Sequence, residues 1–532
     1  MGSINQVRHK APRDDRSHLN WMGGRAWDLQ SPLTRLRVAA SSCFFGEPMY
    51  YHVDGAAPKA KARAARPYAL PDADRDHLRA TLHAIDPAAW RGLSPAALME
   101  SAIDAALDED PEATLLEAAR LRNDEHLRTT PQVILVRAAH HKKVKGSGLI
   151  RRYAGDIVKR ADEPAVGLAY QLQTYGKPVP NALKRAWSAA LAAANDYALA
   201  KYRMESRAVK TVDVVNLVHP KGAAVSRLVK GELKVTERTW EGIISAKGSN
   251  AKAWRDALAV MGHMALLRNL RNLVQNGVPT DRVASRLVAG AADGQQLPFR
   301  YYSAYRAVEG LAPPALLDAI ETCLERAMGN LPRFEGRVAS LCDNSGSAQG
   351  TTTSSMGSMQ ISSIANLSGI LAGRCADDGW LGVFGDRLEM RPVRKKASVF
   401  DQLKEADTVA RGIGGSTENG IWLFWDKAIR EREHWDTVFV FSDMQAGHDG
   451  LYGTDPKRYK DFAWRGGHNI DVAKLVAAYR AKVNPAVDVF LVQVAGYQDT
   501  IIPEFYERTY ILGGWGEGLL RFAAAMKSLA RA

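Results

Sequence analysis

Cysteine is scarce in this chain of 532 residues: Cys43, Cys323, Cys342 and Cys375 stand far apart, with no Cys-x-x-Cys pair. That distribution argues against a disulfide framework or a structural zinc site, and reduced, buried thiols are expected. No apolar run approaches the roughly 18 residues a membrane helix needs. The stretch Met1 to Lys10 is polar and lacks the apolar core of a signal peptide, so a cytoplasmic protein without a membrane partner is expected. Catalytic motifs are missing as well. No Gly-x-Ser-x-Gly elbow surrounds Ser345, and no carboxylate cluster suits two metals. Gly513-Gly514-Trp515-Gly516-Glu517-Gly518 has neither the Gly-x-Gly-x-x-Gly spacing nor a Walker lysine, and reads as a turn between the last strand and the last helix. These absences point away from an enzyme.

Positive charge, by contrast, is in excess and unevenly placed. Lys and Arg number 71 against 58 Asp and Glu, a net +13. From residue 331 onward the two signs balance, so the whole excess lies in the first 330 residues. A basic half joined to a neutral half suggests one surface for polyanions and another for something else. At 46% apolar the composition suits a folded protein, and the length exceeds what one core usually serves. Two domains are expected, residues 17–330 and 331–532.

The first of these reads as consecutive amphipathic helices. Ser94-Pro95 is a capped start with Pro at the first helical position. Glu112 to His126 carries apolar residues at helical spacing, and Pro131, Pro279, Pro298 and Pro313 mark further starts. Asn181 to Met204 and Lys252 to Asn276 each read as one long helix. His140-His141-Lys142-Lys143 reads as an exposed, charged helix end. Many helices with short polar links predict an α-solenoid of HEAT-like pairs. The segment Ala56 to Ala65 lacks apolar periodicity and reads as an exposed loop.

After Phe334 the pattern alternates between strands and helices. Strands are expected at Arg337–Leu341, Trp380–Phe384, Trp435–Phe441, Val487–Val494 and Arg508–Leu512. Helices fall at Ser354–Leu371, Val399–Arg411, Thr417–Glu431, Asp471–Ala481 and Glu517–Ala530. This alternation predicts a mainly parallel sheet with helices on both faces, whose ligands sit beyond the carboxyl ends of the strands.

Asp343-Asn344-Ser345-Gly346-Ser347 follows the first of those strands, Gly414-Gly415-Ser416-Thr417 comes some seventy residues later, and Phe439-Val440-Phe441-Ser442-Asp443 ends another strand. A carboxylate and two hydroxyls at alternate positions place three hard oxygens on one loop. Thr417 and Asp443 add two more, with Ser416 as a substitute for Thr417. Such a set holds Mg²⁺, or alternatively Mn²⁺ or Ca²⁺, with one position open. The plain alternative is that Asp343 and the serines cap the following helix. In the basic half, Lys201, Arg203, Arg207, Lys210, His219 and Lys221 stand close together in sequence, with Lys184 and Arg185 upstream. If the helix continues, Arg203, Arg207 and Lys210 share one face at i, i+4 and i+7, which suits phosphate contacts beside a stacking Tyr or His.

The order Asp343-x-Ser345-x-Ser347, Thr417, Asp443 resembles the metal-ion-dependent adhesion site of von Willebrand factor A domains. Ser31-Pro-Leu-Thr-Arg-Leu-Arg, Phe45-Gly-Glu-Pro-Met-Tyr-Tyr51, Pro180-Asn-Ala-Leu-Lys-Arg-Ala-Trp187, Lys201-Tyr-Arg203, Leu217-Val-His-Pro220 and Leu266-Leu-Arg-Asn-Leu270 look like the TROVE module. Together the chain resembles the Ro autoantigen family, called Rsr in bacteria. The resemblance implies a HEAT-like helical ring closed by a doubly wound, Rossmann-like A-domain. It implies a monomer in the free state that binds small Y RNA on the outer ring surface. It also implies that the central hole takes single-stranded ends of misfolded or immature noncoding RNA, assisting exoribonucleases, through Y RNA, in maturation, decay and stress response. Lys201 and His219 match residues the family uses for Y RNA, and Arg203 or Arg207 matches a third. The rival reading is a metal-dependent protein–protein adaptor, which leaves the charge imbalance unexplained.

Overall fold

The computed structural model describes residues 17–19, 25–27, 32–41, 47, 50, 95–233, 239–292, 294, 296, 298–349, 359–416, 419–442, 451–452, 469–470, 472–494, 504–506, 508–513 and 518–531. Cys43, the Ala56 to Ala65 segment and the Gly514 to Glu517 part of the glycine-rich turn lie outside them. The chain divides into two compact units, Leu29–Gly248 and Met1–Asp28 with Ser249–Ala532. No described helix is long and apolar enough to cross a membrane.

The described residues of the Leu29–Gly248 unit form helices: α1 (Pro32–Ser41), α2 (Pro95–Glu109), α3 (Pro111–Asn123), α4 (Thr130–His140), α5 (Leu149–Ile157), α6 (Glu163–Thr174), α7 (Asn181–Ala192), α8 (Asp196–Lys201), α9 (Thr211–Val218), α10 (Ala223–Val229) and α11 (Trp240–Lys247). Helices pack on neighbours close in sequence, α3 on α4 and α5, α4 on α6, α5 on α7. Local chemistry sets the starts. Asp110 accepts the Glu112 and Ala113 amides at 3.0 Å, with Pro111 in the first turn. The start of α4 is held from far away, because the Glu47 carboxylate accepts the amides of Arg128, Thr129 and Thr130. Close approach fixes α6 against α7: a Cβ on Gly167 would sit 2.9 Å from the buried Trp187 ring. Buried acids are matched by arginines. Glu117 bonds Arg37 at 2.8 Å and Arg120 at 2.6 Å, and Glu163 bonds Arg122 at 2.9 Å. The charged end of α4 is partly engaged, with His140 stacked on Tyr175 and His141 3.1 Å from Asp108.

Neither long helix exists. Asn181–Met204 breaks after Ala192, because the Asn195 side chain accepts the Ala198 amide at 2.9 Å and starts α8 afresh. The chain over Lys252–Asn276 forms three short helices, α12 (Ala251–Val260), α13 (His263–Arg268) and α14 (Leu270–Gln275), the first break falling at extended Met261 and Gly262. Residues with low helix preference at the breaks outweigh a periodicity that runs straight through them.

The second unit adds α15 (Thr280–Gly290), α16 (Pro298–Val308) and α17 (Pro314–Ala327), then the sheet domain. Its strands are β3 (Phe334–Asp343), β4 (Ala376–Phe384), β5 (Leu388–Pro392), β6 (Thr437–Ser442), β9 (Asp488–Gln493), β10 (Glu504–Tyr506) and β11 (Thr509–Gly513); β1 (Ser17–Leu19) with β2 (Arg25–Trp27), and β7 (Leu451–Tyr452) with β8 (Asn469–Ile470), form separate antiparallel pairs. The seven-stranded sheet runs β10-β11-β9-β6-β3-β4-β5. Its five central strands are parallel and its edges, β5 and β10, antiparallel. Helices α18 (Gly346–Gln349), α19 (Ile361–Cys375), α20 (Val399–Gly412), α21 (Gly420–Glu431), α22 (Val472–Lys482) and α23 (Gly518–Arg531) connect them.

Alternation along β6 builds two cores. Val438 and Val440 join Trp422, Trp425 and Tyr479 of α21 and α22 on one face. Phe439 and Phe441 stack on the other, where Phe490 and Tyr510 extend the row to Phe522 of α23. Helices therefore cover both faces, as expected. From β3 the chain crosses to β4 on one side, and later to β6 on the other, so the sheet reverses direction between β3 and β6. That switch point lies at the carboxyl ends that carry Asp343 and Ser442, where sheets of this kind place their ligands.

Candidate metal centre and nucleic-acid interface

Asp343 ends β3 fully buried, and its two carboxylate oxygens are separately engaged. Oδ1 accepts the Ser345 amide at 2.8 Å, and Oδ2 accepts the Ser442 hydroxyl at 2.7 Å. Ser345 Oγ and Ser347 Oγ lie 3.1 Å apart. Adjacent ligands of an octahedral ion with bonds of about 2.1 Å stand about 3.0 Å apart, so the two hydroxyls fit neighbouring positions of a Mg²⁺-type shell. The loop is fixed from below. Asn344 donates its amide to the Phe384 carbonyl at 2.7 Å and trades two side-chain hydrogen bonds with buried Asn366, at 2.9 and 3.0 Å. Gly346 donates to the Gly415 carbonyl at 2.8 Å, so the expected Gly-Gly-Ser-Thr loop does meet the Asp343 loop. Ser416 is exposed at its tip. Thr417 and Asp443 lie outside the described residues, although Ser442, one residue before Asp443, touches Asp343. Among the described residues no three His, Cys, Asp or Glu side chains cluster, so a cation here would depend on hydroxyl oxygens. Sequence reasoning passed over Ser442, Asn344, Asn366 and Gln349. The signal for Asn366 was a lone amide inside the apolar run Ile364-Ala365-Asn366-Leu367.

Burial disfavours the thiolate form of the three described cysteines. Burial pushes Cys323 up to about 12 and Cys375 up to about 11, and raises Cys342, next to Asp343, well above its ordinary value.

The basic positions fall on α7 to α10 and their links, elements that pack on one another. Lys184 and exposed Arg185 belong to α7, and exposed Lys201 closes α8. His219 caps α9 in the left-handed conformation (φ 46°) and is exposed, as is Lys221. Arg203, Arg207 and Lys210 do not share a helix face. Residues 202–210 form turns, because Thr211 bonds the Tyr202 and Arg203 carbonyls that a longer helix would use. Arg203 turns inward to the Leu233 carbonyl, and Lys210 lies 3.8 Å from Glu205; Arg207 stays exposed.

No ion pair to Lys184, Arg185, Arg207, His219 or Lys221 exists among the described residues. Arginines of the preceding helices differ: Arg122 pairs with Glu163, Arg137 with Asp104, Arg152 with Glu112 and Arg160 with Asp162. Tyr197, one helical turn before Lys201, was overlooked in the sequence. It is 50% exposed, with Lys201 Nζ 5.5 Å from its ring centroid and 3.1 Å from its hydroxyl. Partial burial works to lower the Lys201 pKa, but the Tyr197 hydroxyl, Tyr202 and Glu241 hold it above the ordinary value. A cation beside an open aromatic face is suited to a stacked base and its phosphate.

Residues 229–313 match the TROVE domain model. The basic positions at 184–221 precede that segment. None of the curated protein sequences compared with the chain matches it. Among solved structures, the crystal structure of the Deinococcus radiodurans Ro (Rsr) protein is similar, with a TM-score of 0.58 and 18% identity. The likeness covers 80% of this chain and 93% of that one, and at this identity it is a likeness of fold. The chain thus carries a TROVE match over residues 229–313 and shares its fold with the Ro (Rsr) protein of Deinococcus radiodurans.

Proposed function

We propose that this protein is a non-catalytic RNA-binding scaffold. The observation that carries this reading is the run of exposed Arg185, Arg207 and Lys221, which have no ion pair among the described residues, with exposed His219, beside Lys201 and the open ring of Tyr197. Unpaired cations on packed neighbouring helices attract the phosphate backbone, and an aromatic face adds base stacking. The TROVE segment and the Ro-like fold support the same reading. A structured small RNA of the Y type is the proposed ligand of this surface. Single-stranded ends of misfolded or immature noncoding RNA are the second, with exoribonucleases recruited through the small RNA.

The A-domain loop is proposed to hold Mg²⁺, with Ser345 and Ser347 as ligands, Asp343 direct or water-bridged, and Thr417 and Asp443 completing the set. A bound ion would supply an open position for a partner carboxylate. The protein's own residues hold the loop rigid around it.

The test of the RNA surface is fluorescence anisotropy with a structured small RNA. Lys201→Ala with His219→Ala should weaken binding about tenfold or more, since a charge-assisted phosphate contact and an imidazole contact are lost together. Unchanged affinity in a folded double variant counts against the surface. Separately, Asp343→Ala should abolish the heat of Mg²⁺ binding in calorimetry while leaving RNA affinity intact. Retained Mg²⁺ binding would remove Asp343 from the site.

A further inference from the structure

The short helix α8 turns its apolar side inward and its tyrosine outward. Leu199 is fully buried, and at about 100° per residue both Tyr197 and Lys201 fall on the far side of the helix from it. They stand one turn apart, as neighbours on one face. The helix that presents them is anchored. Asn195 accepts the Ala198 amide at 2.9 Å, and Asp196 pairs with Arg227 of α10 at 2.7 Å. The second contact also offsets the charge of the acid next to the ring, which would otherwise repel a polyanion.

Other tyrosines of the same unit are less open. Tyr170 is buried, the Tyr175 ring stacks on His140 at 3.9 Å, and the Arg160 guanidinium lies 4.2 Å over the Tyr202 ring. Tyr153 donates its hydroxyl to Glu112 at 2.8 Å, which places an acid where a phosphate would have to come. Tyr197 is 50% exposed, and its polar neighbour is a cation. Lys201 Nζ is 3.1 Å from the hydroxyl oxygen but 5.5 Å from the ring centroid. The ammonium therefore sits past the hydroxyl, at the rim, and leaves the ring face uncovered. It spends one donor on that oxygen and keeps its others for a phosphate.

We propose that Tyr197 and Lys201 form a subsite for one unpaired nucleotide, its base stacked on the ring and its phosphate held by the ammonium. The proposal rests on reading the α7 to α10 surface as the RNA interface, and it adds a preference to that surface. Bases inside a duplex have their faces taken by neighbouring pairs, so a ring fixed on a protein surface engages only a base that is unpaired. Every base has such a face, so the subsite selects for single-strandedness and tolerates sequence. Cations alone would not make that distinction, because paired and unpaired strands carry the same phosphates.

The experiment uses the full chain and two labelled RNAs of equal charge. One is a duplex with a short unpaired extension on one strand, and the other is the same molecule with an abasic extension. In fluorescence anisotropy the wild type should bind the RNA with bases about tenfold more tightly, as one stacked base contributes. Tyr197→Ala should make the two RNAs bind alike. Tyr197→Phe keeps the ring and should keep the preference. Half of this side chain lies in solvent, so folding is not at stake in either variant. Equal affinities in the wild type, or a preference that survives Tyr197→Ala, overturn the stacking subsite and leave the RNA surface standing. Loss of the preference in Tyr197→Phe as well would assign it to the hydroxyl's hold on Lys201, and stacking falls by that result too. A wild-type chain that binds neither RNA overturns the RNA interface itself.

Discussion

Glu117 is a carboxylate sealed 2% exposed inside the helical unit, where burial alone would raise its pKa. Hydrogen bonds from Arg120 and Arg37 outweigh that and hold it below the ordinary 4.5. A group whose folded pKa lies below its unfolded value stabilises fully above the unfolded value, and loses that contribution as pH falls through the folded one. Glu117→Gln should therefore cost about 3 kcal/mol at pH 7, since it takes the carboxylate from Arg37 and leaves Arg120 with Glu125 alone. Its stability should fall less steeply than that of the wild type below pH 4.5, as followed by thermal denaturation across pH. The residues of the proposed cation loop were visible at this scale, because Asp343, Ser345 and Ser347 stand together at a strand end. Ser442 and Asn366 were not. They reach Asp343 and Asn344 only through strand order and helix packing, from 99 and 22 residues away in sequence.

Among the elements, the parallel strands could be read in advance because burial on both faces makes them near-continuous apolar runs. The edge strands β5 and β10 escaped notice; β5 alternates between partly buried and exposed positions and carries no such run. Helix breaks were equally hidden. Asn195 and Gly262 interrupt helices whose apolar spacing continues beyond them, and the Arg203, Arg207, Lys210 face is lost because α8 ends at Lys201. One element junction yields a sharp expectation. A Cβ on Gly346 would come within 2.8 Å of the Gly415 carbonyl, which cannot retreat without moving the end of α20. Gly346→Ala should reduce Mg²⁺ affinity about tenfold in calorimetry, with a stability loss of about 1–2 kcal/mol.

Over the whole molecule, the +13 excess is confined to the first 330 residues, and exposed Arg185, Arg207 and Lys221, which have no ion pair among the described residues, lie within that stretch. If they contact phosphates, RNA affinity should fall linearly on a log–log plot against salt, and Lys201→Ala should flatten the slope by about 0.7–0.9. An unchanged slope in that variant would place Lys201 off the backbone path. The charge asymmetry and the two structural classes were visible in composition and periodicity. The division at Ser249 was not, since the contacts that join α16 and α17 to the sheet rest on single residues, Glu321, Phe400 and Tyr305, scattered along the chain.

That junction bears on how the protein can be dissected in the laboratory. Scissors placed at residue 331, where strands replace helices, would strand Phe400 in solvent and rob Ser398 of its acceptor. Cutting at residue 249 keeps the aromatic clasp intact, and truncated versions meant for crystallisation or partner screening belong on that side of the seam.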